Sequence, residues 1–181
     1  QGVDSFLILA TGRRHSCNHH RFTISTKGIL QHPCQFGVSE RHKGRSHFVN
    51  DLIQKIIVAK RSNQNHITLF GDGSPLRQFM YSGDLDRVIK TFVDEQHTKS
   101  FNVAPDLNLS VNDIALVALN ACDAKYMAIK YDASKPNGQQ RKDVDTVILK
   151  SCMPTIEFRD LATGIKNIYD IHVRINSVAL K

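Results

Sequence analysis

The sequence contains no apolar run that approaches the roughly 18 residues needed to cross a bilayer, so no membrane-spanning helix is predicted. Its apolar stretch at residues 6–10 is also shorter than the about 7–15 residues of a signal-peptide core. The four cysteines, Cys17, Cys34, Cys122 and Cys152, are widely spaced, which gives little support to a disulfide framework. We therefore expect a cytoplasmic protein whose thiols are reduced and mostly structural.

The chain carries an excess of positive charge. Its 181 residues hold 24 Lys and Arg against 17 Asp and Glu, a net charge of +7. This charge implies an anionic partner: nucleic acid, a membrane surface or a small phosphorylated ligand. The sequence has no helix-turn-helix or RNP-like pattern, and its aromatic and basic residues are not grouped as in single-strand binders. A basic nucleic-acid-binding module is therefore kept as an alternative and is not the favoured interpretation.

The first 45 residues differ from the rest of the chain. They are rich in Arg, Lys and His with little apolar periodicity, so we predict a basic, poorly ordered arm there. The arm also holds Cys17 and His19, followed by His20, and then His32 and Cys34. Cys-x-His and His-x-Cys are not standard zinc-finger spacings. A zinc site is the lesser alternative, and no metal is predicted.

From residue 46 onward the apolar residues switch between helical and extended spacing. Helices are predicted at about 47–60, after capping residues at 82–84, from Ser110, and more weakly through Ile165 and Ile168. Short strands are predicted at 67–70, 78–81, 101–103 and 128–131, with a loop at 134–138. This order predicts an α/β fold, a small mixed sheet with three or four helices. It occupies a lobe at 46–170, between the arm at 1–45 and a tail at 171–181.

A glycine-rich turn at residues 71–75 stands just before Arg77. Glycines let a ligand approach the backbone closely, and a planar guanidinium can hold a phosphate with two parallel hydrogen bonds. From these residues alone the segment fits either a structural hairpin or a phosphate site. The neighbouring motifs are needed to choose between them.

The order G-x-G-x-P-x-R-x-F-x-Y-x-x-D-L at 71–85, between an apolar strand and an amphipathic helix, resembles the substrate lobe of extended short-chain dehydrogenase/reductase enzymes. Within that family the chain is most similar to the GDP-L-fucose synthase group, from about Cys34 to Asp170. Further matches at 46–49, 101–103 and 131–138 follow in the same order, and together they are more specific than any one motif. The resemblance implies NADPH-dependent epimerisation and reduction of GDP-4-keto-6-deoxy-D-mannose to GDP-L-fucose.

The resemblance also implies a binding site for a GDP-sugar. Lys55 would face the diphosphate and Arg77 would contact a phosphate or the sugar, with Lys142 or its neighbours completing an anion cradle. Phe70 stands where many members have tryptophan, so it keeps a stacking surface and lacks the indole N–H donor. Asn137 replaces a usual aspartate, so one acceptor for the sugar nucleotide is neutral.

A nicotinamide cofactor, NADP(H), is implied in the same way, with Gly12 and His47 as its contacts. His47 would lie beside the nicotinamide and the sugar ring and act as an acid. In the family a Gly-x-x-Gly-x-x-Gly turn places the pyrophosphate at a helix N-terminus. Here Gly12 is followed by residues 13–16, Arg-Arg-His-Ser, whose bulk would keep a pyrophosphate from the backbone. We therefore predict that this chain alone does not bind the cofactor.

The family's catalytic Ser and its Tyr-x-x-x-Lys pair have no counterpart that we assign. Tyr126 and Lys130 match the spacing but lie in or beside a predicted strand, where residues four apart are roughly 13 Å from each other. The chain thus resembles a truncated family member in which the first strand joins the substrate lobe directly, and no turnover is predicted from it alone. A homodimer, or pairing with an intact family member, is the implied protein partnership.

Overall fold

Residues 9–10, 20–24, 28–32, 35–36, 48–97 and 99–178 are described by a computed structural model of the chain, with side chains in 48–97 and 99–175. The chain divides into two units, each assembled from separated segments. Unit 1 comprises Gln1–Gln35, Gln78–Leu107 and Asp143–Phe158, and unit 2 comprises Phe36–Arg77, Asn108–Lys142 and Arg159–Lys181. These divisions do not coincide with the arm, lobe and tail expected from composition.

The described residues form helices and short strands in alternation. The helices are α1 (Phe48–Arg61), α2 (Ser82–Asp94), α3 (Val111–Ala121), α4 (Val147–Cys152) and α5 (Leu161–Val178). The strands are β1 (Leu9–Ala10), β2 (His20–Ile24), β3 (Gly28–His32), β4 (Gln35–Phe36), β5 (His66–Phe70), β6 (Leu76–Arg77), β7 (Met80–Tyr81), β8 (Phe101–Asn102), β9 (Leu109–Ser110), β10 (Ala128–Asp132) and β11 (Arg141–Lys142). The α/β class with small mixed sheets is confirmed, and the six-residue α4 is a helix that the sequence analysis missed.

Unit 1 contains a sheet in the order β1-β2-β3-β8, with strands in the stretch for which no fold was predicted. β2 pairs antiparallel with both β1 and β3, and β3 pairs parallel with β8. The antiparallel pairing of β1 differs from that of a Rossmann first strand, which lies in a parallel sheet. The core of the unit joins the apolar face of α2 to residues around β8 and α4: Met80, Leu85, Val88, Phe92, Phe101, Val103, Leu149 and Met153.

The start of α2 differs from the capping prediction. Tyr81 is the N-cap and makes no side-chain capping hydrogen bond, so residues 82–84 lie inside the first turn. Asp84 is buried there and pairs with Arg87, an interaction of the helix side chains instead of a cap. By contrast, Ser110 caps α3 as predicted, since its side chain accepts a hydrogen bond from the Asp113 backbone N–H.

Unit 2 is built on the parallel pair β5 and β10, with α1, α3 and α5 contributing buried apolar side chains. A second sheet has the order β11-β6-β9, in which β6 pairs parallel with β11 and antiparallel with β9. α5, predicted as a weak helical tail, is 18 residues long because Ile165 and Ile168 are fully buried. Residues 171–178 continue that helix, so the tail predicted at 171–181 begins inside α5.

The described cysteines fit the prediction of structural thiols. Cys122 is buried and Cys152 is half-buried, and neither is bonded to another cysteine. Burial raises the pKa of the Cys122 thiol to about 12, against the opposing effect of the nearby Lys60 charge, so the thiol stays protonated at neutral pH. Within the described residues, no helix combines the length and the apolar character needed to cross a membrane.

Lys60 ties three helices of unit 2 together. Its ammonium donates to the carbonyl of Cys122 at 2.9 Å and to the hydroxyl of Tyr169 at 3.0 Å. Cys122 is the C-cap of α3, where a cation also complements the helix dipole, and Tyr169 belongs to α5. Lys60 itself stands in the last turn of α1.

Replacing Lys60 by methionine is expected to lower the free energy of unfolding by about 1–3 kcal/mol, because the carbonyl and hydroxyl partners lose a charged donor while the apolar stem is kept. Urea denaturation monitored by circular dichroism measures this loss. The exposed Lys125 gives a matched Lys125→Met control, which should change stability by less than about 0.5 kcal/mol. Equal stability of the two variants would show that the Lys60 contacts contribute nothing.

Candidate functional site

The polar loops of unit 2 leave the same end of a parallel strand pair. Phe70 and Asp132 are the last register partners of β5 and β10, and the Gly71 backbone N–H donates to the Asp132 carbonyl at 3.0 Å. Because parallel strands end at one edge of a sheet, residues 71–75 and 133–140 form two adjacent loops. The first leads into β6 and the second into β11. We call them the first loop and the second loop.

Two glycines of the first loop make close contacts that a side chain would prevent. Gly71 and Gly73 both have left-handed backbone angles, with φ of 76° and 80°. A Cβ atom on Gly73 would lie 2.7 Å from the Tyr131 ring, and one on Gly71 would lie 1.9 Å from the Asn137 side-chain oxygen. The glycines in the motif therefore have a structural role here.

Tyr131 fixes the first loop through a hydrogen bond as well as through ring contact. Its hydroxyl donates to the side-chain oxygen of Asn112 at 2.6 Å, and the Asn112 backbone N–H donates to the Gly73 carbonyl at 3.0 Å. Burial raises the pKa of Tyr131, with smaller contributions from Asp113 and Asp72, so the hydroxyl remains a donor at neutral pH. Tyr131 thus anchors the first loop by ring contact and through Asn112.

Two cations are register partners where the loops end. Arg77 on β6 is paired with Lys142 on β11, and Arg141 is paired with Leu76. Strands in a sheet lie about 4.8 Å apart and register partners have their Cβ atoms on the same face, so the Arg77 and Lys142 side chains start from neighbouring positions on one face of the sheet. In the part of the chain that the structure describes, neither side chain has a carboxylate partner, and Arg77 donates to the Leu76 carbonyl at 2.7 Å. Neighbouring like charges are destabilising, which favours binding of an anion there.

Lys55 and Phe70, two further predicted residues, contact each other. The Lys55 ammonium lies 5.1 Å from the centre of the Phe70 ring, a cation–π distance, and 3.1 Å from the Asp51 carboxylate. Phe70 is 62% exposed, so most of its ring is accessible to a planar ligand. Asp51 already neutralises Lys55 in part, which makes Lys55 a weaker anion site than Arg77.

An open groove of about 430 Å³ lies between α1 and β5. Lys55, Val58, His66 and Thr68 are among its lining residues. Its volume is in the range of small-molecule sites. Phe70, Arg77 and Asn137 are not in its wall, so this groove does not collect the residues that the resemblance implies.

The structure brings the predicted site residues together in two pairs. One pair is Lys55 with Phe70, and the other is Arg77 with Lys142. Asn137 is on the second loop, which leads to Lys142, and it bonds the first loop: its side-chain oxygen accepts a hydrogen bond from the Asp72 backbone N–H at 2.7 Å. Sequence analysis assigned Asn137 to the ligand and missed this contact between loops, which no spacing rule would reveal.

Other predicted positions lie outside the described residues. These are His47 and Gly12, with the Cys17, His19 and Cys34 of the alternative zinc site, so their roles stay predictions. Within the described residues, no three metal-binding side chains are grouped. Lys130 lies in β10, and Tyr126 precedes that strand and is 64% exposed, so the two do not share a helix face.

Comparison with known proteins gives a consistent assignment. Residues 29–104 match the family of NAD dependent epimerases and dehydratases. A GDP-L-fucose synthase from Dictyostelium discoideum is 32% identical over 128 residues, which are 69% of this chain and 39% of the relative. A GDP-L-colitose synthase from Yersinia pseudotuberculosis is 29% identical over 111 residues, 59% of this chain and 35% of the relative.

Solved structures show the same fold. The crystal structure of a GDP-L-fucose synthetase from Naegleria fowleri bound to NADP superposes with a TM-score of 0.70 at 21% identity, and covers 81% of this chain and 46% of that one. The chain therefore spans less than half the length of the relatives it matches. Residues 29–104 therefore match the NAD dependent epimerase/dehydratase family, and the chain is similar over a wider span to GDP-L-fucose synthases.

Proposed function

We propose that this chain is the sugar-nucleotide-binding part of a GDP-sugar epimerase-reductase, and that its ligand is a GDP-sugar. The supporting observation is the pairing of Arg77 with Lys142 at the ends of two fixed loops, next to a glycine-rich turn. A diphosphate carries the charge that these neighbouring cations need and the oxygen geometry that a guanidinium binds with two hydrogen bonds. The similarity to GDP-L-fucose and GDP-L-colitose synthases supports a guanosine diphosphate ligand.

Lys55 and Phe70 provide a second part of the proposed site. The exposed Phe70 ring offers a face for stacking against a base or sugar, and the cation beside it adds charge. A phosphate that binds Lys55 would have to share it with Asp51. We therefore propose Arg77 and Lys142 as the main diphosphate ligands and Lys55 as an auxiliary one.

The chemistry of the proposed whole enzyme is the NADPH-dependent epimerisation and reduction that yields GDP-L-fucose. When bound, the nicotinamide cofactor would supply hydride. Residues 13–16, which follow Gly12, do not fit a pyrophosphate-binding glycine turn, so we propose no cofactor contact by that segment. His47 is the proposed acid.

Calorimetric titration of the purified chain separates the two ligands. GDP-fucose is expected to bind and NADPH is not, because the cation pair is present and the glycine turn is not. Binding of both would mean that the cofactor site is formed by other residues. Absence of GDP-fucose binding in a folded sample would contradict the proposed function.

Nucleotide fragments sharpen the same measurement. GDP should bind more tightly than GMP, because only the diphosphate can engage Arg77 and Lys142 together. UDP should bind more weakly than GDP if the base is recognised, and equally if the cations alone bind the ligand. Equal affinities for GDP and GMP would remove the cation pair from the site.

A further inference from the structure

Asn137 joins the first loop to the second. The loops are held at their base by the bond from the Gly71 N–H to the Asp132 carbonyl, and at the next residue of the first loop by the bond from the Asp72 N–H to the Asn137 side-chain oxygen. Beyond these bonds the first loop continues into Arg77, and the Leu76 N–H donates to the Gln140 carbonyl at 2.8 Å. Asn137 thus joins the two loops at a point between the end of the β5–β10 pair and the strands that carry Arg77 and Lys142.

The space for this amide exists because residue 71 is glycine. A Cβ on Gly71 would lie 1.9 Å from the Asn137 side-chain oxygen and 3.0 Å from its side-chain carbon. The next residue, Gly138, has φ of 71°, and a Cβ on it would be 3.8 Å from the Arg77 guanidinium. Asn137 therefore contacts the first loop, and the residue after it, Gly138, lies near the Arg77 guanidinium.

Asp72 places a negative charge next to Asn137, where the two loops meet. Its carboxylate accepts hydrogen bonds from the Ser74 backbone N–H at 2.9 Å and from the Ser74 hydroxyl at 2.7 Å. These bonds, and then one from the Asn137 side chain, hold the pKa of Asp72 below its usual value, so it is ionised at neutral pH. A carboxylate at position 137 would face that ionised group, whereas an amide can accept from the Asp72 N–H and donate to its carboxylate.

We propose that Asn137 is a positioning and specificity-determining residue, whose neutral amide fixes the two loops so that Arg77 and Lys142 can bind a diphosphate without a second carboxylate beside them. This inference rests on the proposed function, since it explains how the loops of that same site are positioned and why the site favours a diphosphate. It accounts for an asparagine where the family resemblance implies aspartate. Asn137 bonds the first loop in the structure, and its role as an acceptor for the sugar nucleotide stays a prediction.

Four proteins test the proposal by GDP titration: the unaltered chain, Asn137→Asp, Asp72→Asn and the double variant that exchanges the two side chains. Asn137→Asp keeps an oxygen acceptor for the Asp72 N–H and adds a charge, so it should weaken GDP binding about fivefold at low salt. The loss should shrink at high salt because exposed charges are screened. The exchanged protein restores one amide and one carboxylate, so its affinity should return to within about twofold of the unaltered chain.

Amide hydrogen exchange at Asp72 provides a readout that needs no ligand. Asn137→Ala removes the acceptor and should speed exchange at that N–H about tenfold, whereas Asn137→Asp should leave it protected.

If the unaltered chain binds GDP and Asn137→Asp binds it equally well at low salt, the inference is wrong and the proposed function stands. If Asn137→Ala leaves exchange unchanged, the bond between loops is absent and the inference fails whether or not GDP binds. If the unaltered chain binds no GDP, the proposed function fails and the positioning role fails with it.

Discussion

Replacing Arg77 by alanine is expected to weaken GDP binding about 10- to 100-fold. A charged hydrogen bond contributes about 1.5–3 kcal/mol, and each 1.4 kcal/mol is a factor of about ten in affinity. Arg77 is on the central strand of the β11-β6-β9 sheet, with Lys142 as its register partner, so its removal leaves one cation where a diphosphate needs two. Calorimetric titration with GDP measures the change.

Two further variants separate the geometry of Arg77 from its charge. Arg77→Lys keeps the charge and loses the planar pair of donors, so it should fall between the unaltered chain and Arg77→Ala. Arg61→Ala removes one arginine from the exposed end of α1 and should change GDP affinity by less than about twofold at physiological salt. Unchanged affinity in Arg77→Ala, or equal losses in Arg77→Ala and Arg61→Ala, would exclude Arg77 from the proposed site.

The helices and strands that the sequence predicted well are those with strong local signals. α1 shows apolar residues at helical spacing from Val49 to Ile57, and α3 has the Ser110 cap that the structure confirms. β5 ends where the glycine turn begins, as the turn residues predict. In each case the information lies within about 15 consecutive residues, so propensity and periodicity suffice.

The elements that the sequence missed depend on distant parts of the chain. α4 is six residues long, and of these only Leu149 is buried, so it has no periodic face to recognise. α5 had been predicted as weak, but Ile165 and Ile168 are fully buried in a unit formed from three separate segments. Tertiary packing decides such elements, since isolated helices gain little from propensity alone.

In the candidate site, too, some features could be predicted from the sequence and others required the structure. The resemblance located Lys55, Phe70, Arg77 and Asn137, and the structure places all four in unit 2. It could not show that Lys142 is the register partner of Arg77, because the strands that carry them are separated by the whole of residues 78–140. Nor could it show that Asn137 bonds Asp72, because hydrogen bonds between loops follow from the alignment of β5 with β10.

A buried carboxylate in unit 1 gives the second large expected effect, on stability. The Asp84 side chain is 1% exposed, and Arg87, one turn along α2, lies 2.7 Å from it. The same guanidinium nitrogen donates to the Glu157 carbonyl at 2.7 Å, so Arg87 links the helix to the segment after α4. Removing the cation takes the charged partner from a buried carboxylate, and the remaining contacts of Asp84 carry no such compensating charge from Arg87.

Arg87→Ala is therefore expected to destabilise the protein by roughly 3 kcal/mol and to lower its melting temperature by roughly 6–12 °C. The same helix supplies a matched control: Lys90 and Asp94 form an ion pair whose side chains are 75% and 56% exposed. Lys90→Ala should cost less than about 1 kcal/mol, because exposed pairs are solvated and screened. Thermal unfolding of the two variants measures the difference. Similar melting temperatures of the two variants would mean that water or another group stabilises Asp84 without Arg87. A much lower melting temperature for Arg87→Ala would show that the loss of stability depends on burial of the carboxylate, since both variants break an ion pair.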